Sequence, residues 1–324
     1  MHMRATFQEG QMARALVFPG QGSQSPGMGR ELSEAYAAAR EVFQEVDDAL
    51  GQKLSRLIFE GPAETLTLTE NAQPALLAVS LAVMRTLERE AGFNLAGHAA
   101  YVAGHSLGEY SALAAAAAFS LADAARLVKR RGIAMQRAVP VGEGAMAALL
   151  GCEFDDARAI AREAAQGAVC VPANDNGGAQ VVLSGSKAAV ERAVALAVAR
   201  GVKRAVMLPV SAPFHSPLMA PAAREMEEAL GEVSIAPPRV PLIANVTAKP
   251  VSDPETIRRL LVEQVTGLVR WRETIESLGA LGVDTAVEVG AGKVLTGLAK
   301  RIDRELLALS VGTPAELEAF VKTI

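Results

Sequence analysis

From Ala13 onward the chain alternates short apolar runs with amphipathic stretches of helical period, and this alternation restricts the fold more than any single motif does. "ARALVFPG" reads as a strand entering a turn, and "AAYVAGHS" as a second strand. Between them, "ELSEAYAAAREVFQEVDDAL" and "QPALLAVSLAVMRTLEREAG" read as helices. Strands separated by helices of this length are joined by crossovers, and crossovers make parallel neighbours. An α/β class with a mainly parallel sheet is expected.

Between Gly144 and Val210 the order changes. The strand "GAMAALLG", the helix "FDDARAIAREAAQ", the strands "AVCVPAN" and "AQVVLSG", the helix "SKAAVERAVALAVARG" and the strand "KRAVMLPV" follow as β-α-β-β-α-β. That is the order of a ferredoxin-like unit. It predicts residues 142–208 as an inserted subdomain, and 13–141 with 209–324 as a larger discontinuous domain. The α/β pattern then resumes with a helix around Met219 to Leu230, the strand "VPLIANVT", helices near Ile257 to Val265 and Trp271 to Leu281, the strand "TAVEVG" and a final helix from Lys293. Residues 1–12, "MHMRATFQEGQM", have no apolar stretch long enough for a signal peptide and read as a tag, an alternative start or a disordered leader.

Composition removes several function classes. A net charge of −4 with 4% aromatic residues offers neither a basic footprint nor stacking rings, so no nucleic-acid partner is expected. The most apolar helix, Leu113 to Phe119, is far short of the roughly 20 residues of a membrane span, so no membrane association is expected. Cys152 and Cys170 have neither metal-ligand nor disulfide-framework spacing and sit in strand-like runs. No metal and a reducing, cytoplasmic location are expected.

Gly104-His105-Ser106-Leu107-Gly108 fits G-x-S-x-G, in which the serine occupies a strained turn between strand and helix. The bland alternative is a glycine-lined turn with an incidental serine. At the start of the following helix the backbone N–H of Leu107 is free to hold a developing oxyanion. A serine hydroxyl needs a base within reach, and the chain has four histidines. His2 lies in the leader and His98 precedes the strand. His105 adjoins the serine, where neighbouring side chains project apart, and His215 lies in the proline-punctuated loop "VSAPFHSPLM". His215 is the favoured base, with His105 left open and a structural role for His215 as the alternative. "FPGQGSQSPGMG" is not a dinucleotide fingerprint, because Ser25 stands at the third glycine position, and "GAGKVLTG" is not a P-loop. The basic run in "LVKRRGIAMQ" reads, on its own, as a solvated face complementing a helix dipole.

"FPGQGSQ", "TENAQPALLAVS", "GHSLGEYSAL", "RG..MQ.AVP.G.GAM" from Arg131, "SAPFHSPLM" and "EVGAGKVLTGL", taken together and in this order, resemble the malonyl-CoA:acyl carrier protein transacylase family over residues 15 to about 302. The resemblance implies an α/β-hydrolase-like larger domain with an inserted ferredoxin-like subdomain. It implies Ser106 as the acylated nucleophile, His215 as its base, the backbone N–H groups of Gln21 and Leu107 as the oxyanion hole, and Arg131 as the partner of the malonyl carboxylate. Gln264, in "LLVEQV", matches the position whose backbone carbonyl orients the histidine. Malonyl-CoA is the implied substrate and acyl carrier protein the implied partner, bringing its own phosphopantetheine. No bound cofactor and a monomer are expected.

Ala291 and Gly178-Ala179-Gln180 depart from the family pattern at loop positions, and by resemblance to polyketide acyltransferases, in which an aromatic before the histidine goes with malonyl, Phe214 implies malonyl over methylmalonyl. A trans-acting acyltransferase of polyketide synthesis would use the same residues. A serine esterase or thioesterase would add an acid, for which Asp175 is placed in sequence, and a non-catalytic carrier-binding scaffold would have lost Ser106, His215 or Arg131. Lys129, Arg130, Lys203, Arg204 and Lys300 are candidates for docking an acidic carrier.

Overall fold

The run RALVF is buried at every position, as a strand covered on both faces must be. It forms β1 (Arg14–Phe18) inside a six-stranded sheet in the computed structural model, which describes residues 13–210 and 212–324. The leader expected at 1–12, His2 included, lies outside the described residues. The other strands are β2 (Tyr101–Gly104), β3 (Gly144–Leu150), β4 (Cys170–Asp175), β5 (Gln180–Ser186), β6 (Arg204–Met207), β7 (Leu242–Ile243), β8 (Pro250–Val251), β9 (Thr285–Val289) and β10 (Leu307–Val311). The large sheet runs β10-β9-β1-β2-β7-β8, parallel throughout except for the β7–β8 hairpin.

Period-two alternation divides the sheet between two cores. Leu16, Phe18, Val102 and Val287 pack on one side; Ala15, Val17, Ala103 and Ala286 pack with Trp271 on the other. The helix Thr69–Ala91 is buried on every side from Asn71 to Met84 and lies in the first core, where its Ser80 hydroxyl is bonded to the Val289 carbonyl at 2.9 Å. The helix Leu121–Arg137 crosses the start of that helix at Gly132. A Cβ there would stand 2.7 Å from Glu70 Cα and from the Thr69 carbonyl oxygen, so glycine sets how closely the two backbones approach.

The second sheet has the order β4-β5-β3-β6 and is antiparallel at every pairing. The helices Phe154–Ala165 and Lys187–Ala199 cover one face through Ala157, Ile160, Ala161, Ala189, Val190 and Ala193. The element order β-α-β-β-α-β is the one read from the sequence. Its other face carries Met146, Ala148, Ala173 and Val182 against Leu208, Val210 and Phe214. The two sheets are tied at β4, where the Val269 N–H donates to Ala173 O and the Asp175 N–H to Val269 O, each at 2.9 Å.

Several details differ from the sequence reading. The single helix expected before Leu50 is two, Arg30–Ala35 and Ala37–Leu50, because Tyr36 is extended (φ −126°, ψ 127°). The strand expected over "VPLIANVT" is only β7, since the chain turns at Ala244 to pair with β8. The helix from Val294 to Ile302 is followed by β10 and by the helix Pro314–Val321, neither of which was expected. β10 is an edge strand, mixed in burial, and lacks the apolar continuity that marks β1. Cys152 lies just past β3 and Cys170 opens β4; both are free and buried. Among the described residues no helix is long and apolar enough to cross a membrane.

Candidate active site

β2 ends at Gly104 and the next helix, Gly108–Ala115, begins four residues later, which leaves Ser106 in the left-handed region at φ 54°. The flanking glycines follow from space: a Cβ at Gly104 would stand 2.0 Å from Gly108 O, and one at Gly108 2.2 Å from Phe18 O. The serine is thereby lifted to the carboxyl ends of β1 and β2, where ligands of open α/β sheets bind. Its N–H donates to Asn245 Oδ1 at 2.8 Å, and its carbonyl accepts from Gln264 Nε2 at 2.9 Å.

Ser106 Oγ lies 2.8 Å from His215 Nε2. His215 is buried and also left-handed, at φ 55°. Its Nδ1 is 2.9 Å from the Gln264 backbone carbonyl, which can only accept, so Nδ1 carries the proton and the Nε2 lone pair faces the serine. Burial first, and the nearby Arg131 charge second, push this imidazole down to about 3, so it is neutral near pH 7.

Arg131 is 1% exposed, so the reading of its basic run as a solvated face fails at this residue. Nη1 donates to Gln73 Oε1 at 2.8 Å, and Nη2 to Gln264 Oε1 at 2.7 Å and to Ser106 Oγ at 3.1 Å. Among the described residues no carboxylate bonds to it, and its buried Nε has no hydrogen-bond partner. Tyr110 presents its ring 5.8 Å from the guanidinium carbon. Arg130, one residue earlier, reaches Glu225, Glu228 and Glu232, so that position does not offer the basic docking face expected of it.

The Gln21 side chain accepts from Thr69 Oγ1 at 2.8 Å, and Thr69 in turn accepts from Gln73 Nε2 at 3.1 Å. Leu107 caps the helix that follows the serine. The backbone N–H of Gln21 and that of Leu107 donate to no other described residue. A cavity of about 590 Å³ adjoins this corner and is lined by Gln21, Glu64, Leu68, Thr69, Pro209 and Phe214 among others.

The remaining candidates lie apart from the serine. His105 Nε2 is 2.9 Å from Asn176 Oδ1 and its ring leans on Trp271, so it faces the second sheet and is not the base. His98 is bonded to Asn94. Asp175 pairs with Arg272 at 2.9 Å and does not orient His215, which leaves the esterase reading without its acid. Sequence reasoning missed Gln73, Asn245 and Glu109. Glu109, three residues after the serine, resembles an ordinary acidic residue of a first helical turn, yet it is 1% exposed, accepts from Gln264 Nε2 at 2.6 Å and from the Asn245 N–H at 3.2 Å, and has its carboxyl pushed up to about 7 by burial. Among the described residues no group of three metal-ligating side chains occurs.

The family model described as "Acyl transferase domain" matches residues 15–309. The malonyl CoA-acyl carrier protein transacylase of Bacillus subtilis (strain 168) is 47% identical over 96% of this chain and 96% of its own length. An acyl-carrier-protein S-malonyltransferase from Bartonella henselae superposes with a TM-score of 0.94 at 60% identity, covering 96% of this chain and 99% of that one. A malonyl-transacylase solved in complex with a type II PKS acyl-carrier protein superposes with a TM-score of 0.93 at 42% identity, covering 96% and 100%. With a serine, a histidine and a buried arginine converging at one strand end, and with likeness along nearly its whole length, the chain belongs to the malonyl CoA-acyl carrier protein transacylases of the acyl transferase domain family.

Proposed function

We propose that this protein transfers the malonyl group of malonyl-CoA to the phosphopantetheine thiol of an acyl carrier protein through a malonyl-Ser106 ester. The observation that carries the reading is the position of Ser106 Oγ, 2.8 Å from a neutral imidazole and 3.1 Å from a buried guanidinium. One group activates the hydroxyl; the other is suited to hold a carboxylate near it.

In this reading His215 Nε2 takes the serine proton as Oγ attacks the thioester carbon, and the oxyanion is held by the backbone N–H groups of Gln21 and Leu107. The carbon–sulfur bond breaks, and the imidazolium returns the proton to the departing CoA thiolate. The carrier thiol then loses its proton to His215, attacks the ester, and leaves as malonyl carrier protein with Ser106 restored. Thioester to ester to thioester is close to balanced, so the cycle needs no added energy source or metal. The Gln264 carbonyl favours the tautomer with its lone pair on Nε2, the role an aspartate has in serine hydrolases.

Arg131 supplies selectivity. Gln73 and Gln264 orient the guanidinium without neutralising it, so its charge remains available to a malonyl carboxylate, and acetyl donors cannot use that contact. We further infer that residues 142–208 form a ferredoxin-like subdomain inserted in an α/β-hydrolase-like domain of 13–141 and 209–324. The β4-β5-β3-β6 order supports the first part, and the G-x-S-x-G turn at the end of β2 the second.

Intact-mass spectrometry after mixing with malonyl-CoA, and again after adding holo acyl carrier protein, tests the reading. Wild type should gain a malonyl adduct that moves to the carrier, and Ser106→Ala should gain none. An adduct lost to water would identify a hydrolase instead. Transfer to a polyketide carrier in preference to one of fatty acid synthesis would leave the chemistry intact and change the pathway.

A further inference from the structure

One buried carboxylate has no part in the cycle above, although Ser106, His215 and Arg131 all lead back to it through shared hydrogen-bond partners. Glu109 sits in the first turn of the helix after the serine, and its two oxygens receive N–H groups from two other segments. Oε2 accepts from the side chain of Gln264, on the helix Pro254–Thr266, and Oε1 from the backbone of Asn245, just beyond β7.

Each of those residues holds part of the site. Gln264 gives its backbone carbonyl to His215 Nδ1, its side-chain oxygen to Arg131 Nη2, and its side-chain N–H groups to Ser106 O and Glu109 Oε2. A flipped amide would present N–H groups to the guanidinium and an oxygen to the carboxylate. The carboxylate therefore fixes which end of Gln264 meets Arg131. Asn245 accepts from the Ser106 N–H at 2.8 Å and donates to Gly104 O at 2.6 Å, so it grips both ends of the strained turn. The neutral amide between Glu109 and Arg131 has a second effect. It keeps the carboxylate out of direct contact with the guanidinium, which stays available to a ligand's carboxylate.

We propose that Glu109 is a positioning residue of the acyl-transfer site: through Gln264 and Asn245 its ionised carboxylate sets the orientation of His215, Arg131 and the Ser106 turn, and with it the preference for a carboxylated acyl donor. The inference rests on the malonyl-transfer reading and extends it. Only the ionised form accepts both N–H groups without supplying a hydrogen of its own. Burial raises this carboxyl to about 7, so its charge state changes in the neutral range. The charged or titratable groups around it are Arg131, from the helix Leu121–Arg137, its chain neighbour Tyr110, and His215 beyond Gln264. Burial pushes His215 down and Tyr110 up, so neither competes with Glu109 for a change of charge near pH 7.

The test compares single-turnover acylation of wild type, E109Q and E109D by malonyl-CoA and by acetyl-CoA across the neutral pH range, with thermal unfolding of each protein. E109Q keeps the shape but places an amide N–H group against one of the two incoming donors. It should fold, lose at least about tenfold in malonyl acylation, as sub-ångström displacement of reacting groups does, and lose malonyl-over-acetyl preference. The wild-type preference should fall as the pH drops below about 7, that dependence should be absent in E109Q, and E109D should recover part of the preference. A folded E109Q with wild-type rates and preference would overturn the proposal. So would equal losses with both donors that track lost stability, since those mark a purely structural residue. If E109Q does not fold, a wild-type preference that is constant through the neutral range overturns it, and one that falls below pH 7 supports it. Wild type that forms no malonyl adduct would sink the parent reading and this inference together, whereas an acylated wild type with an indistinguishable variant sinks this inference alone.

Discussion

Arg130 and Arg131 are consecutive on one helix. The first, 33% exposed, reaches the carboxylates of Glu225, Glu228 and Glu232, while the second, 1% exposed, reaches two amide oxygens and a serine hydroxyl. A helix turns about 100° per residue, so neighbours face different surroundings whatever their chemistry. The exposed arginine is satisfied by charges that water and salt could replace, and such pairs are worth little. The buried arginine is oriented by neutral dipoles, an arrangement that costs desolvation and leaves the charge uncancelled. An abundance of carboxylate partners therefore marks the arginine with the lesser role. Their scarcity at a buried guanidinium is what suits Arg131 to the anion-holding role proposed for it.

Removing each charge in turn should separate the two sharply. Arg131→Ala should cut acylation by malonyl-CoA by about a hundredfold, corresponding to about 3 kcal/mol for an interaction lost from a desolvated site, with acetyl transfer much less affected; single-turnover mass spectrometry measures both. Retention of malonyl preference in that variant would assign the carboxylate to another residue.

A pH comparison reads the same contrast through His215. An unfolded histidine binds its proton near pH 6.5 and folded His215 only near pH 3, so between these values the unfolded chain holds the extra proton. The His215 contribution to stability is therefore present above pH 6.5 and is lost as the pH falls through that window, at a slope of at most about 1.4 kcal/mol per pH unit. Arg131→Gln removes one cause of the low value, so it should raise the folded pKa and narrow the window. Arg130→Gln should leave the window where it is, as urea unfolding at several pH values would show. The smallest effect belongs to Arg130→Ala, which should change unfolding free energy by less than about 1 kcal/mol and leave malonyl acylation within about twofold of wild type.

The parts of this molecule legible from sequence are those that local chemistry specifies. β1 announces itself by continuous apolarity, the Ser106 turn by glycines that backbone contact requires, and the β-α-β-β-α-β stretch by its order. The polar interior was not legible. Gln73 lies in a helix that reads as ordinary core, Asn245 follows a strand of two residues, and Glu109 looks like any acid at a helix start. What distinguishes them is contact with segments far off along the chain, Glu109 with Asn245 and Gln264 and Gln73 with Arg131, which no local pattern records. The same limit explains Arg131, since a run of three basic residues gives no sign of which one turns inward. The family resemblance supplied that choice before any physical argument could.

Ser106 and His215, the two residues to which proton transfer is assigned, both occupy the left-handed backbone region at a cost on the order of 1–3 kcal/mol each. Glycine at either position would relieve that strain and abolish the chemistry in the same step. A search for thermostable variants that is blind to turnover would thus drift toward an inert scaffold, and any effort to harden this protein must select for acyl transfer at every round.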